Sequence, residues 1–79
     1  MKMKYVLDNE SLRFVLIPLH MKHSDIQGYW TNAGFVDIYK EDGKYEMSVY
    51  CYGKSESLGL KSSERDSMVI RNAIKEGIY

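Results

Sequence analysis

The side chains best placed for chemistry are His20 and His23, three positions apart, with Asp25 two positions further on. Two imidazoles at that spacing can share one face of a helical turn, and a nearby carboxylate can orient one of them, as a small ribonuclease or a metal site would require. A closed zinc site takes about four ligands, however. The one cysteine, Cys51, lies in an alternating run that points it towards the core. A core-facing cysteine behaves as a small hydrophobe, whereas a nucleophilic thiol needs an exposed, electropositive setting. No serine stands in a glycine-flanked elbow, and no phosphate-binding glycine loop, dinucleotide fingerprint or paired-carboxylate motif occurs. The expectation is therefore a non-catalytic protein without a metal or cofactor.

The elements that must position any binding surface centre on residues 34 to 61. Asp42-Gly43 between two alternating runs is a strong hairpin signal. A two-residue turn there pairs Glu41 with Lys44, Ile38 with Met47 and Val36 with Val49 on an apolar face. It places Tyr39 opposite Glu46, Asp37 opposite Ser48 and Phe35 opposite Tyr50 on the other face. A turn at Lys54-Ser55 then leads to a third strand, Leu58-Gly59-Leu60. That strand adds Leu58 and Leu60 to the apolar face, sets Gly59 opposite Tyr50, and sets Lys61 opposite Ser48 beside Asp37.

Before this region, Met3 to Leu7 and Leu12 to Ile17 read as strands around an Asp8-Asn9-Glu10-Ser11 turn, so an N-terminal hairpin is expected. Pro18 ends it. The stretch from His20 to Asn32 has no sustained period, although Ser24-Asp25 could cap a short helix carrying Ile26, Tyr29 and Trp30. The last element reads as a helix from Glu64 to Glu76, with Ser63 as N-cap and Asp66 completing the capping signature. Its apolar stripe of Val69, Ile70, Ala73 and Ile74 faces the sheet, with Met68, Arg71 and Lys75 on the other side. Gly77-Ile78 is the stop signal. The fold class is α+β, a small antiparallel sheet with a C-terminal helix on one face.

The bulk numbers agree with one domain, residues 1–79. The chain is 44% hydrophobic and 28% charged, the balance of an ordinary globular protein. Eleven basic and eleven acidic residues cancel, which argues against strong non-specific nucleic-acid binding but leaves room for a local basic strip. A lone cysteine, no signal-peptide pattern and no apolar run near the ~20 residues of a membrane span point to the cytoplasm. Lysine and tyrosine are abundant and alanine scarce, a bias compatible with a phage or mobile element.

The segment Gly34-Phe35-Val36-Asp37-Ile38-Tyr39-Lys40 with Asp42-Gly43-Lys44 resembles the glycine-led strand and Asp-Gly turn of the HicA-type mRNA interferase toxins. The ending Ile70-Arg71-Asn72-Ala73-Ile74-Lys75-Glu76-Gly77-Ile78 is similar to the closing helix of that family. The resemblance covers about half the chain. It implies a three-stranded sheet and helix of the double-stranded-RNA-binding type. In that family a histidine after the glycine cleaves RNA. Phe35 and Val36 stand there in this chain, and neither His20 nor His23 aligns with it, so the resemblance implies no nuclease activity.

The remaining feature is the second sheet face, where Phe35, Tyr39, Tyr50 and Tyr52 gather near Asp37, Glu46 and Lys61. The N-terminal hairpin or the Tyr29-Trp30 segment could cover these rings. If they are exposed, Phe35, Tyr39, Tyr50, Tyr52 and Lys61 suit a protein interface, since aromatic residues are enriched at binding hot spots. The leading expectation is a phage or mobile-element accessory factor that inhibits a host toxin or defence protein by direct contact. The alternative is an RNA-binding module that stacks bases on the rings, with Lys54, Lys61, Arg71 and Lys75 as phosphate contacts. A small ribonuclease built on His20 and His23 is the third reading, and a homodimer is compatible with any of them.

Overall fold

Alternation builds the sheet. In β1 (Lys2–Leu7), Met3, Tyr5 and Leu7 point to one side while Lys4 and Val6 point to the other. The same alternation continues through β2 (Phe14–Ile17), β3 (Asn32–Lys40) and β4 (Met47–Tyr52). These strands form a four-stranded antiparallel sheet in the order β2-β1-β3-β4. The computed structural model describes residues 1–40 and 47–77. The predicted Asp42-Gly43 turn lies outside them.

The N-terminal hairpin is present, but it extends the sheet instead of lying across it. β1 pairs with β2 on one edge and with β3 on the other, so Lys4 stands between Ile17 and Phe35. The turn between β1 and β2 is held by Asp8, whose carboxylate accepts from the Glu10 N–H at 3.0 Å and the Ser11 hydroxyl at 2.9 Å. These hydrogen bonds, the one from Glu10 first, hold the Asp8 carboxyl below its ordinary value. Leu12 closes the turn with φ +62°, a left-handed conformation that glycine adopts more readily than leucine.

The β3–β4 register differs from the expected one by two residues. Ile38 pairs with Val49 and not Met47, Val36 with Cys51 and not Val49, and Phe35 with Tyr52 and not Tyr50. Asp37 pairs with Tyr50 and Tyr39 with Ser48. Because side chains alternate with a period of two, a two-residue displacement leaves every residue on its expected face.

The first face is closed by α1 (Glu64–Lys75). Tyr5, Leu7, Val36, Cys51 and Ile70 form its buried centre, with Val49, Val69 and Ile74 packed around them. Ser63 caps the helix and Asp66 completes the capping box as expected. Glu76 serves as C-cap, and Gly77 follows at φ +75°, where the N–H bonds to the Ile74 carbonyl. Asp66 is fully buried. It accepts from the Tyr5 hydroxyl, from Asn32 Nδ2 at 2.7 Å and from the Ser63 N–H at 2.9 Å. One carboxylate thus joins β1, β3 and the start of α1. Burial is the main reason the Tyr5 phenol is pushed well above its ordinary value, and Asp66 adds to it.

The expected third strand does not join this sheet. The chain turns at Gly53 (φ +77°), and Lys54–Ser55 (β5), expected as a turn, instead pairs with Leu60–Lys61 (β6) as a separate ribbon. Lys61 therefore faces Lys54, not Ser48, and Gly59 lies in a turn away from Tyr50. Leu58 and Leu60 pack with Val6, Ile17 and Ala33 on the second face, opposite to the expected placement. The residues that lead into and out of the ribbon, Tyr52 to Gly53 and Ser62, can lie close to β3 because Gly34 has no side chain. A Cβ there would come within 2.5 Å of the Tyr52 carbonyl oxygen and 3.3 Å of Ser62 Cβ.

A lysine-flanked aromatic row

The second face is covered over only part of its area. Met21, Ile26, Trp30, Leu58 and Leu60 pack on Val6, Ile17 and Ala33. The expected helix through Ile26, Tyr29 and Trp30 is replaced by one 3-10 turn at His23–Asp25, started by the Lys22 N–H bonding to the Asp25 carboxylate at 2.9 Å. Trp30 belongs to this cover, while Tyr29 is 78% exposed and takes no part in it.

Beyond the cover, the rings form a continuous row. Tyr50 and Tyr52 alternate along β4, so both project from the same face; their ring centroids are 5.6 Å apart and their planes 21° from parallel. Phe35, directly across from Tyr52 on β3, lies 5.9 Å from it at 24°. His23 meets the edge of Phe35 at 5.9 Å and 86°. Tyr50 is 62% exposed and Tyr39 49% exposed, whereas Phe35 and Tyr52 are half-buried. Four aromatic residues expected on this face are therefore there, and the outer two are open.

His23 does not behave as a solvated surface residue. It is buried, and its Nε2 lies 2.8 Å from the Gly34 carbonyl oxygen, which can only accept, so Nε2 carries the proton of that bond. The ring is fixed to β3 and props Phe35. His20 is exposed, and the two histidines do not form a joint site with Asp25, whose carboxylate is engaged by Lys22. Among the described residues no group of three or more histidine, cysteine or acidic side chains is gathered as a metal site. Cys51 is buried in the first core cluster, its N–H bonded to the Ser67 hydroxyl at 2.8 Å, and burial pushes its thiol up to about 11.

The row runs into a cleft of about 580 Å³ between the sheet and β5. Phe35, Tyr52 and His23 supply its rings, and Lys4, Lys22 and Lys54 supply three cationic groups. Lys4 reaches it because β1 sets it opposite Phe35, and its Nζ donates to the Met21 carbonyl at 2.6 Å. Lys22 and Lys54 are exposed, and Glu56 at the rim lies 3.9 Å from Lys54. Lys61 stands directly across from Lys54. A cross-strand pair of like charges disfavours the ribbon by a few tenths to about 1 kcal/mol, and a bound anion would remove that cost.

Of the sequence-derived basic candidates, Lys54 and Lys61 are brought beside the row and Arg71 and Lys75 are not. The helix carrying the latter two packs on the opposite side of the sheet, and Arg71 Nε donates to the Met47 carbonyl at 3.2 Å. Lys4 and Lys22 were missed by sequence reasoning. The alternation of β1 held the signal for Lys4, but its neighbour on β3 follows only from the strand pairing.

Among the described residues no helix is long and apolar enough to cross a membrane. No known family, curated protein or solved structure matches the chain.

Proposed function

We propose that this is a non-catalytic binding protein of the cytoplasm whose ligand is single-stranded RNA, laid along the open half of the second sheet face. The observation that carries this reading is the row of Tyr50, Tyr52 and Phe35 on two adjacent strands, open to solvent at one end and flanked by lysines at the other. Bases stack on sheet aromatics in single-strand RNA modules, and each stacked base contributes about 1–3 kcal/mol. Neutral overall charge is no obstacle when Lys4, Lys22, Lys54 and Lys61 lie on or beside one face.

The test is a titration of labelled oligouridine at two salt concentrations, with Tyr50→Ala and Tyr52→Ala as variants. Binding should weaken as salt rises, because phosphate contacts release counterions. Each variant should lose about tenfold or more in affinity. Absence of binding, or affinity indifferent to salt and to both tyrosines, overturns the proposal.

A second reading, direct contact with a host toxin or defence protein by a phage or mobile-element accessory factor, is favoured by Asp37. That carboxylate lies directly across from Tyr50 and 3.4 Å from the exposed N-terminal ammonium; it would repel a phosphate but could exchange this partner for a cationic side chain of another protein. This reading predicts a stoichiometric protein partner recovered from the native host that is lost with Tyr50→Ala.

A further inference from the structure

We infer that the cleft at the inner end of the aromatic row takes the phosphorylated terminus of the bound strand, so that the protein distinguishes a phosphate-ended RNA from a hydroxyl-ended one. The inference rests on the RNA-binding reading and adds a direction to it. Its basis is the uneven charge along the row. At the outer end, next to Tyr50, Asp37 stands across from Lys2 and pairs with the N-terminal ammonium at 3.4 Å, so the cations there share the face with a carboxylate. At the inner end Lys4, Lys22 and Lys54 converge on one cleft, with Lys61 directly across from Lys54 and only Glu56 to oppose them among the lining residues.

A strand passing straight through would carry one charge per internal phosphodiester and would call for cations spread along its course. A terminal phosphate monoester concentrates between one and two charges and three acceptor oxygens on one group. Cations gathered at one end match the second pattern. The shape agrees. Phe35 and Tyr52 line the cleft and continue the stack, so a terminal base placed on them brings its own phosphate among the lysines. The cleft volume of about 580 Å³ lies within the range of small-molecule sites and is ample for one nucleotide. The segment from Lys22 to His23 bounds it on one side and β5 on the other, and the buried His23–Gly34 hydrogen bond keeps the first of these walls against the sheet.

Three versions of one short oligouridine separate the possibilities: one with a 5′-phosphate, one with a 3′-phosphate, and one with hydroxyls at both ends. One phosphorylated form should bind at least about tenfold more tightly than the hydroxyl form, the scale of hydrogen bonds to a charged group. Which form it is identifies the end. Lys22→Ala and Lys54→Ala alter exposed side chains, so the fold should persist; each should shrink the ratio of phosphorylated to hydroxyl affinity towards one. Equal binding of all three oligonucleotides overturns this inference while leaving the RNA-binding proposal standing. A phosphate preference that both lysine variants retain also overturns it, since the group would then sit elsewhere. If none of the three binds, both proposals fall.

Discussion

Replacing Asp66 with alanine tests whether the buried carboxylate is the tie between sheet and helix that its geometry suggests. The side chain accepts from Tyr5, from Asn32 and from the Ser63 N–H, and alanine removes all three acceptor contacts at once. Loss of the capping-box bond to the Ser63 N–H, with Ser63 itself still in place as the cap, costs about 1 kcal/mol. The Tyr5 hydroxyl, fully buried, would be left without its partner at about 1–3 kcal/mol. Asn32 is only half-buried and can turn partly to water, so its loss is nearer about 0.5–1 kcal/mol. Relief of the desolvated charge returns some of this, and a net loss of about 2–4 kcal/mol is expected. A domain of this length has a total stability of roughly 4–12 kcal/mol, so the variant should be visibly weakened or partly unfolded at room temperature. Urea titration followed by far-ultraviolet circular dichroism measures the change. Tyr5→Phe alone should cost about 1.5–3 kcal/mol, as for a hydrogen bond to a charged group. The double variant should cost at least about 1 kcal/mol less than the sum of the two, since both act on one contact. A loss below about 1 kcal/mol for Asp66→Ala, or strict additivity with Tyr5→Phe, refutes the reasoning.

Gly34→Ala should destabilise the fold by about 1–3 kcal/mol in thermal melts, because the new methyl would meet the Tyr52 carbonyl at 2.5 Å; an unchanged melting temperature would contradict that contact. Leu12→Gly should leave stability unchanged or raise it by up to about 1 kcal/mol, since relief of the left-handed leucine offsets the added freedom of the unfolded chain; a clear loss in urea titration argues that the exposed side chain is a structural contact. Stability should fall as pH rises above about 9, because the folded chain keeps protons on Cys51 and Tyr5 that the unfolded chain releases. The Cys51 part is present below pH 9.0 and lost by about 11, so Cys51→Ala should flatten the decline within that window, whereas the Tyr5 part begins near 10 and continues upward. A variant whose alkaline profile is identical to the parent's would remove Cys51 from the account.

Local signals were legible where the physics is local. The Ser63 and Asp66 capping box depends on four consecutive residues, and it forms as read. The two faces of β3 and β4 followed from alternation and survived a register error, because moving by two residues preserves the sorting that moving by one would destroy. Leu58 and Leu60 were misplaced because a short apolar alternation does not reveal which sheet receives it. The turn at Gly53 and the side-chain-free approach at Gly34 decide that, and both act through three-dimensional neighbours. The burial of His23 was not legible for the same reason: it depends on a carbonyl eleven residues away, in a stretch without any period. In the candidate site the rings were visible as a face, but the cleft was not, since it forms only when β1, the Lys22 turn and β5 meet.

The position of β1 has a consequence for the order in which the protein can assemble. It is the first strand in the chain, yet it lies inside the sheet, between β2 and β3. Its hairpin with β2 can close early, since little chain separates them. Its other edge waits for residues past 31, and the Tyr5–Asp66 bond spans 61 positions. A chain emerging during synthesis would therefore hold a half-paired strand until β3 arrives, and an unanswered tyrosine hydroxyl until the helix follows. Such non-local closure belongs to the slower, millisecond-to-second class of small-domain folding, and until it happens the open edge of β1 is the place where another extended chain could add itself.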